Sequence, residues 1–205
     1  MDHEAVLDAA AALRTAVHDL ALASTGGHHD PDALAEATRL VAEAASVLDG
    51  ERLAPWWDGP AVAQDRLGLR AYRHRSLFQG PLHPFSPTLT WIETEPVAEA
   101  PTLAFTVTLS TLYEGPPRAV HGGYLAGLFD ELLGGVQGRA RGGGGYTGRL
   151  TIRYRALTPV GEPLTFTGWI TEDKGRRITT AATCRTADDR ITAEAEGLFV
   201  RPTAP

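Results

Sequence analysis

The segment AVHGGYLAGLFDELLGG, residues 119–135, decides the fold that the sequence predicts. After two apolar residues it has a histidine and two glycines, continues with mostly apolar residues, and then places Asp130 beside Glu131. This composition predicts a helix suited to a protein core. A carboxylate is costly to bury unless it is paired. The segment therefore raises the question of what an acid does in such a helix.

The regions on both sides of this helix have the patterns of β-strands. Before it, Leu103, Phe105, Val107 and Leu109 alternate with threonines and a small residue, which predicts a half-buried strand. After it come four strand-like runs, separated by the turn sequences TPVGE, DKG and ADD. Residues 102–203 are therefore predicted to form an α+β domain, with one long helix across an antiparallel sheet of five to six strands.

Residues 1–50 have the pattern of two helices joined by the break TGGHHD. Asp30 suits the N-cap of the second helix, Pro31 its first position, and Gly50 its C-cap. We predict an antiparallel helical hairpin that extends the domain at its N-terminus. Each helix carries an apolar stripe at three- and four-residue spacing, formed by Val6, Ala10, Leu13, Val17 and Leu20 in the first and by Leu34, Ala37, Val41, Ala44 and Leu48 in the second.

Residues 51–101 contain seven prolines, which exclude long regular elements, and are predicted to be a connecting segment that packs on the core. Trp56 and Trp57 suit either a ligand platform or a cover for the core, and the cover is favoured. The histidines have no metal-ligand spacing with nearby acids and are predicted to lie on the surface or in loops, namely His28, His29, His74 and His83. No metal site and no cofactor are predicted.

Composition and charge exclude several functions. The net charge of −6 implies no broad basic surface, so nucleic acid and membranes are not expected partners. Cys184 is the single cysteine, which excludes an internal disulfide, and its strand-like surroundings predict a buried structural thiol. The acidic N-terminus and the lack of a long apolar run predict a cytoplasmic protein.

The start of the central helix and the acid within it suggest catalysis. Glycines 122 and 123 leave backbone N–H groups accessible at the positive end of the helix dipole, where they suit a developing oxyanion. Asp130 lies nine residues past His121, and Glu131 points about 100° further around the helix. From the residues alone two alternatives remain: a histidine that only holds the turn, and an acid on a solvated face.

His121-Gly122-Gly123 followed by Asp130 resembles the hotdog-fold thioesterases of the PaaI-like branch. The next strand is similar to theirs as well, since Thr147 and Tyr154 match a Ser or Thr followed seven residues later by Tyr. The resemblance implies a hotdog fold, in which the sheet wraps the central helix.

The resemblance also implies how the site works. Asp130 would act as general base or as nucleophile, and the N–H of Gly123, with that of Gly122, would polarise the thioester carbonyl. His121 would position the loop and could also position the thioester carbonyl. Thr147 would come from the partner subunit and hold the attacking water. The chain is therefore expected to form a homodimer or homotetramer whose active sites are shared between subunits.

The function that follows is hydrolysis of an acyl-CoA, or of an acyl-carrier-protein thioester, to a carboxylic acid and a thiol. Arg149, Arg153 and Arg155 share one strand face and are candidates to contact CoA phosphates, although a solvated surface is the more usual role of such a row. An enoyl-thioester hydratase or dehydratase and a non-catalytic acyl-CoA-binding module remain the alternatives. The acyl group is left open.

Overall fold

The computed structural model describes residues 3–48, 50 and 76–203. The chain divides into two compact units, Met1–Pro84 and Phe85–Pro205. Both described long helices of the N-terminal region lie in the first unit, and the whole sheet lies in the second. The second unit thus begins upstream of residue 102, where the sequence placed the start of the sheet domain.

The first unit contains helix α1, His3–Gly26, and helix α2, Pro31–Val47. Asp30 caps α2 as predicted, because its carboxylate accepts a hydrogen bond from the Ala33 N–H at 2.8 Å. The prediction of Gly50 as the C-cap is wrong. The helix ends earlier, since the N–H of Leu48 bonds back to the last turn and closes it. The antiparallel arrangement of the two helices stays a prediction.

The two apolar stripes are only partly covered. In α1, Ala10 and Val17 are half-buried, whereas Leu13 remains exposed. Helix α2 has no buried side chain, and Leu34 and Val41 are among its exposed apolar residues. Helical periodicity therefore predicted the elements correctly but not the depth to which their apolar faces are buried. No helix among the described residues is long and apolar enough to cross a bilayer.

Two histidines that the structure describes in the first unit make local hydrogen bonds. The His29 ring bonds the carbonyl of Ala23 at 2.8 Å and so satisfies a free carbonyl at the end of α1. His18 bonds the carbonyl of Pro84 at 3.0 Å. His74 and the tryptophan pair at residues 56 and 57 lie outside the described residues.

The second unit is a six-stranded antiparallel sheet with one long helix, α3, Gly122–Gln137. A short 3-10 turn, Thr111–Tyr113, precedes α3. The spatial order of the strands is β1-β2-β4-β5-β6-β3, which places β3 at one edge. This arrangement confirms the predicted α+β fold. The strands are β1 Thr90–Ile92, β2 Thr102–Thr108, β3 Tyr146–Tyr154, β4 Pro163–Lys174, β5 Arg177–Thr186 and β6 Ile191–Val200.

Strand β1 was not predicted from the sequence. It spans three exposed residues between prolines 87 and 96 and pairs with β2, with Trp91 opposite Phe105. Three residues are too few to display a two-residue period, so nothing in the sequence pattern distinguished them from a loop.

Helix α3 packs on one face of the sheet, against strands β2 to β6. The contact is close because two sheet residues under the helix are glycines. A Cβ at Gly168 would lie 3.0 Å from the Leu132 side chain, and one at Gly197 would lie 3.2 Å from that of Leu133. The largest fully buried side chains form the core between helix and sheet and include Phe105, Phe129, Phe166, Phe199, Leu128, Leu132 and Leu133.

Cys184 lies in this core with no exposed surface, which confirms the predicted buried thiol. Burial raises the pKa of the thiol to about 11, against a smaller opposing effect of a hydrogen bond with Thr192. Only the thiolate reacts with disulfide reagents. We therefore expect the native protein to show no reaction with Ellman's reagent at pH 8, and one thiol per chain after unfolding in guanidinium. Reaction of the native protein within minutes would contradict this burial.

Candidate active site

The segment that leads into helix α3 is held by two backbone hydrogen bonds. The Val120 N–H bonds the carbonyl of Thr158 at 2.8 Å, and the His121 N–H bonds that of Tyr113 at 2.8 Å. His121 is then the N-cap of α3, and its ring nitrogen Nδ1 accepts the N–H of Gly123 at 3.0 Å. The position of the helix start is therefore fixed by its neighbours in the sheet unit.

This cap changes which backbone donors are accessible. The Gly123 N–H is occupied by His121, whereas the Gly122 N–H has no hydrogen-bond partner in the part of the chain that the structure describes. Because Nδ1 accepts a hydrogen bond, the proton of the neutral ring is assigned to Nε2. His121 is exposed, so its Nε2–H is open to solvent, and the Gly122 N–H belongs to the next residue of the chain. His121 therefore holds the turn through Nδ1, and its second ring nitrogen still carries a donor.

Asp130 lies half-buried two turns further along α3, where its Oδ1 accepts the hydroxyl of Thr147 at 3.0 Å. Thr147 faces the helix because the register of β3 shifts between Thr147 and Arg149. This bulge at Gly148 reverses the alternation of side chains, so Thr147 and Tyr154 face the helix together although seven residues separate them. On a regular strand they would point to opposite faces.

The Asp130–Thr147 hydrogen bond corrects one expectation. Thr147 was expected to reach the site from the partner subunit, but its hydroxyl contacts the Asp130 carboxylate of its own chain. The physical reason is the bulge, which turns Thr147 toward the helix of the same chain. In a site shared by two chains, Asp130 and Thr147 would therefore come from the same chain, and the second chain would supply other groups. Glu131 is half-buried and does not take part in this hydrogen bond.

Two further side chains connect helix α3 with β3 and the residue before it through hydrogen bonds, and the sequence did not identify their roles. At one end, Gln137 accepts the Gly145 N–H at 2.6 Å and donates to the Gly145 carbonyl at 3.2 Å. At the other, the Tyr154 hydroxyl donates to the Gly122 carbonyl at 2.8 Å. A buried amide in an apolar helix was the only sequence signal for Gln137. Together with the Asp130–Thr147 bond, these contacts hold the strand along the whole helix.

The glycine run before Thr147 has a defined path. Gly142 and Gly143 have positive φ values of 92° and 84°, a conformation that side chains disfavour. The Arg201 guanidinium holds this loop by donating to the carbonyls of Gly143 at 2.9 Å and Arg141 at 3.0 Å. It also pairs with Asp173, which lowers the pKa of that carboxyl. The loop that leads to Thr147 is thereby fixed by the end of β6.

The three arginines of the β3 row lie on the face of the sheet that points away from α3. The register of β3 with β6 places Arg149 opposite Leu198 and Arg153 opposite Glu194 on that outer face. Arg155 is paired with Glu194 at 2.6 Å. Arg153 and Arg155 line a groove of about 320 Å³ together with Trp169 and Glu196. Contact of these arginines with CoA phosphates stays a prediction, and the sheet lies between them and Asp130.

No group of three or more His, Cys, Asp or Glu side chains suited to a metal ion occurs among the residues that the structure describes. The polar groups along α3 and at its start are the Asp130 carboxylate, the Thr147 hydroxyl, the His121 imidazole and the Gly122 N–H. Such a set suits acid–base chemistry and oxyanion stabilisation.

Comparison with known proteins identifies the family. Residues 118–193 match the family model of the thioesterase superfamily. The crystal structure of RHA08564, a thioesterase superfamily protein, is 34% identical in sequence, covers 95% of this chain and 94% of that chain, and superposes with a TM-score of 0.69. This chain belongs to the thioesterase superfamily. No curated protein sequence matches it.

Two more distant solved structures share the fold over a little more than half of this chain. Zebrafish thioesterase superfamily member 2 is 13% identical over 56% of this chain and 81% of its own, with a TM-score of 0.51. The smu.793 protein of Streptococcus mutans UA159, in complex with acetyl-CoA, is 18% identical over 58% of this chain and 92% of its own, with a TM-score of 0.50. These likenesses confirm the predicted hotdog fold.

Proposed function

We propose that this thioesterase superfamily member hydrolyses an acyl-CoA to a carboxylic acid and free coenzyme A. The observation that carries the proposal is the Asp130–Thr147 hydrogen bond of 3.0 Å on the half-buried side of the central helix. A carboxylate that is held by a hydroxyl and partly shielded from water is suited to orient and deprotonate one water molecule. The acetyl-CoA bound to the Streptococcus mutans relative supports coenzyme A as the carrier.

In the proposed reaction, the oxygen of a water held by Asp130 and Thr147 attacks the thioester carbon while Asp130 takes its proton. The carbonyl oxygen becomes an oxyanion and is stabilised by backbone and imidazole N–H donors at a helix start. Collapse of the tetrahedral intermediate breaks the carbon–sulfur bond, and the leaving thiolate recovers the proton from Asp130. The products are the carboxylic acid and the thiol.

We further propose that the donors and the base of one site come from two chains. Gly122 lies eight residues before Asp130, so about 12 Å of helix separates them. The free N–H groups at a helix start also point away from the rest of the helix. An oxygen bound to Gly122 N–H is therefore out of reach of water held by Asp130 of the same chain. A second chain with its helix antiparallel brings the two halves together.

The edge strand supports such a dimer. Among the described residues, strand β3 is the last strand at one edge of the sheet, and most of its residues are exposed. Exposed edges of this kind are suited to pairing with another strand. Antiparallel pairing of β3 with β3 of a second copy gives a two-fold dimer and places the two central helices side by side in opposite directions.

Asp130 can act in two ways, and isotope labelling distinguishes them. A single turnover in H₂¹⁸O puts the label into the acid product when Asp130 is a general base. If Asp130 attacks as a nucleophile and water then cleaves the anhydride at the aspartyl carbon, the first product is unlabelled and the enzyme carries the label.

The proposed function is tested by thiol release from acyl-CoAs of short, long, branched and aromatic chains. We expect hydrolysis of at least one class, with kcat/KM in the range of about 10⁴ to 10⁸ M⁻¹s⁻¹ that is usual for enzymes. Ellman's reagent suits this assay because the single cysteine is buried. Tight acyl-CoA binding without turnover would overturn hydrolysis in favour of a binding module, and hydration of crotonyl-CoA would indicate a hydratase.

A further inference from the structure

Tyr154 lies beside the helix start, in a contact that no part of the proposed reaction uses. Its hydroxyl donates to the Gly122 carbonyl at 2.8 Å, and its ring packs directly on that glycine. A Cβ at Gly122 would lie 3.2 Å from both the ring and the hydroxyl oxygen, so this approach depends on glycine. A carbonyl oxygen has two lone pairs and can accept this bond in addition to the helical one.

The carbonyl that Tyr154 contacts belongs to the same peptide group as the Gly123 N–H. That N–H donates to Nδ1 of His121 at 3.0 Å. The contacts therefore form one chain of hydrogen bonds, from the Tyr154 hydroxyl through the Gly122–Gly123 peptide to the His121 ring. Hydrogen bonds in such a chain polarise one another, so a donor at the carbonyl strengthens the N–H at the other side of the peptide.

This chain of hydrogen bonds also affects the second ring nitrogen of His121, Nε2. A strong bond to Nδ1 keeps the proton on Nε2 and fixes the ring plane. His121 is exposed, and its Nε2 has no partner within residues 3–48, 50 and 76–203. The Nε2–H is thus available to a ligand, as is the N–H of the next residue, Gly122.

We propose that Tyr154 is a positioning residue: through the Gly122–Gly123 peptide its hydroxyl holds His121 in the orientation and tautomer that present Nε2–H, with the Gly122 N–H, to the thioester oxygen. The part of this inference that concerns the reaction rests on the proposed thioesterase function. Tyr154 itself does not contact substrate, and its contribution is the preorganisation of donors that do.

The test uses Tyr154→Phe in the full chain, with Tyr146→Phe as the matched control. Both substitutions remove one phenolic hydroxyl from the same strand, but Tyr146 is 77% exposed and makes no hydrogen bond to the helix. The first measurement is the tautomer of His121, read from the ¹⁵N shifts of its ring and assigned by comparison with His121→Gln. We expect a single Nε2–H tautomer in the wild type and in Tyr146→Phe, and a mixture in Tyr154→Phe.

The second measurement is acyl-CoA hydrolysis. We expect Tyr154→Phe to lower kcat about tenfold with little change in KM. This loss is smaller than the loss of about 10²- to 10³-fold in kcat that follows removal of an oxyanion donor itself. Tyr146→Phe should keep wild-type values. An unchanged His121 tautomer in Tyr154→Phe overturns the inference whether or not the protein hydrolyses acyl-CoA, and so does an unchanged kcat in an active enzyme. If Tyr154→Phe changes the His121 tautomer but the wild type hydrolyses no acyl-CoA, the positioning role is supported and the proposed function is rejected.

Discussion

Asp130→Asn is expected to lower kcat for thioester hydrolysis by about 10²- to 10⁴-fold, the usual contribution of a positioned acid–base group. The amide has the shape of the carboxylate and still accepts the Thr147 hydroxyl through its carbonyl oxygen. It does not accept a proton from water or act as a nucleophile. We therefore expect the fold and the midpoint of thermal unfolding to change little, and the loss to appear in kcat more than in KM.

Glu131→Gln is the matched control for this variant. The substitution removes the same charge from the adjacent position of the same helix, and the side chain points about 100° away from Asp130. We expect it to retain near wild-type activity in the thiol-release assay. If both variants retain activity, Asp130 is not the base. If only Glu131→Gln is inactive, the acid of this site is Glu131.

The parts of the fold that follow from period and spacing were predictable from the sequence. The alternation around Phe105 and Val107 predicted β2, and the apolar composition of residues 122–137 predicted α3. The spacing of Asp130 from the glycines also follows from the sequence, because a helix converts residue number directly into distance.

The direction in which Thr147 points depends on a break in that periodicity. The bulge at Gly148 reverses the parity of β3, and this decides that Thr147 faces Asp130 of its own chain. A glycine inside a strand is a signal for a bulge, but it does not say on which side the strand resumes. The occupation of the Gly123 N–H by His121 was likewise decided by a side-chain rotamer, which spacing does not predict.

Gly122→Pro is expected to lower kcat by about 10²- to 10³-fold relative to Gly122→Ala, because it removes the one N–H that the structure leaves available at the helix start. Proline is well suited to the first position of a helix. The preceding residue, His121, has φ −60° and ψ 129°, an extended conformation compatible with a following proline. Alanine is the control because both substitutions place a Cβ against the Tyr154 ring, and only proline removes the donor. Equal kcat values for the two variants would exclude the Gly122 N–H as an oxyanion donor.

The same variant shows which chain supplies the donor. When Gly122→Pro and Asp130→Asn chains are co-expressed with different tags, the purified hybrid dimer contains one site with both groups intact only if the donor and the base come from different chains. We then expect about half of the wild-type kcat, since one of two equivalent sites is restored in a two-fold dimer. If both groups came from one chain, each site of the hybrid would carry a damaged group and the activity would stay at the level of the single variants. Because about 12 Å of helix separates Gly122 from Asp130, with the free N–H pointing away, we expect the restored activity.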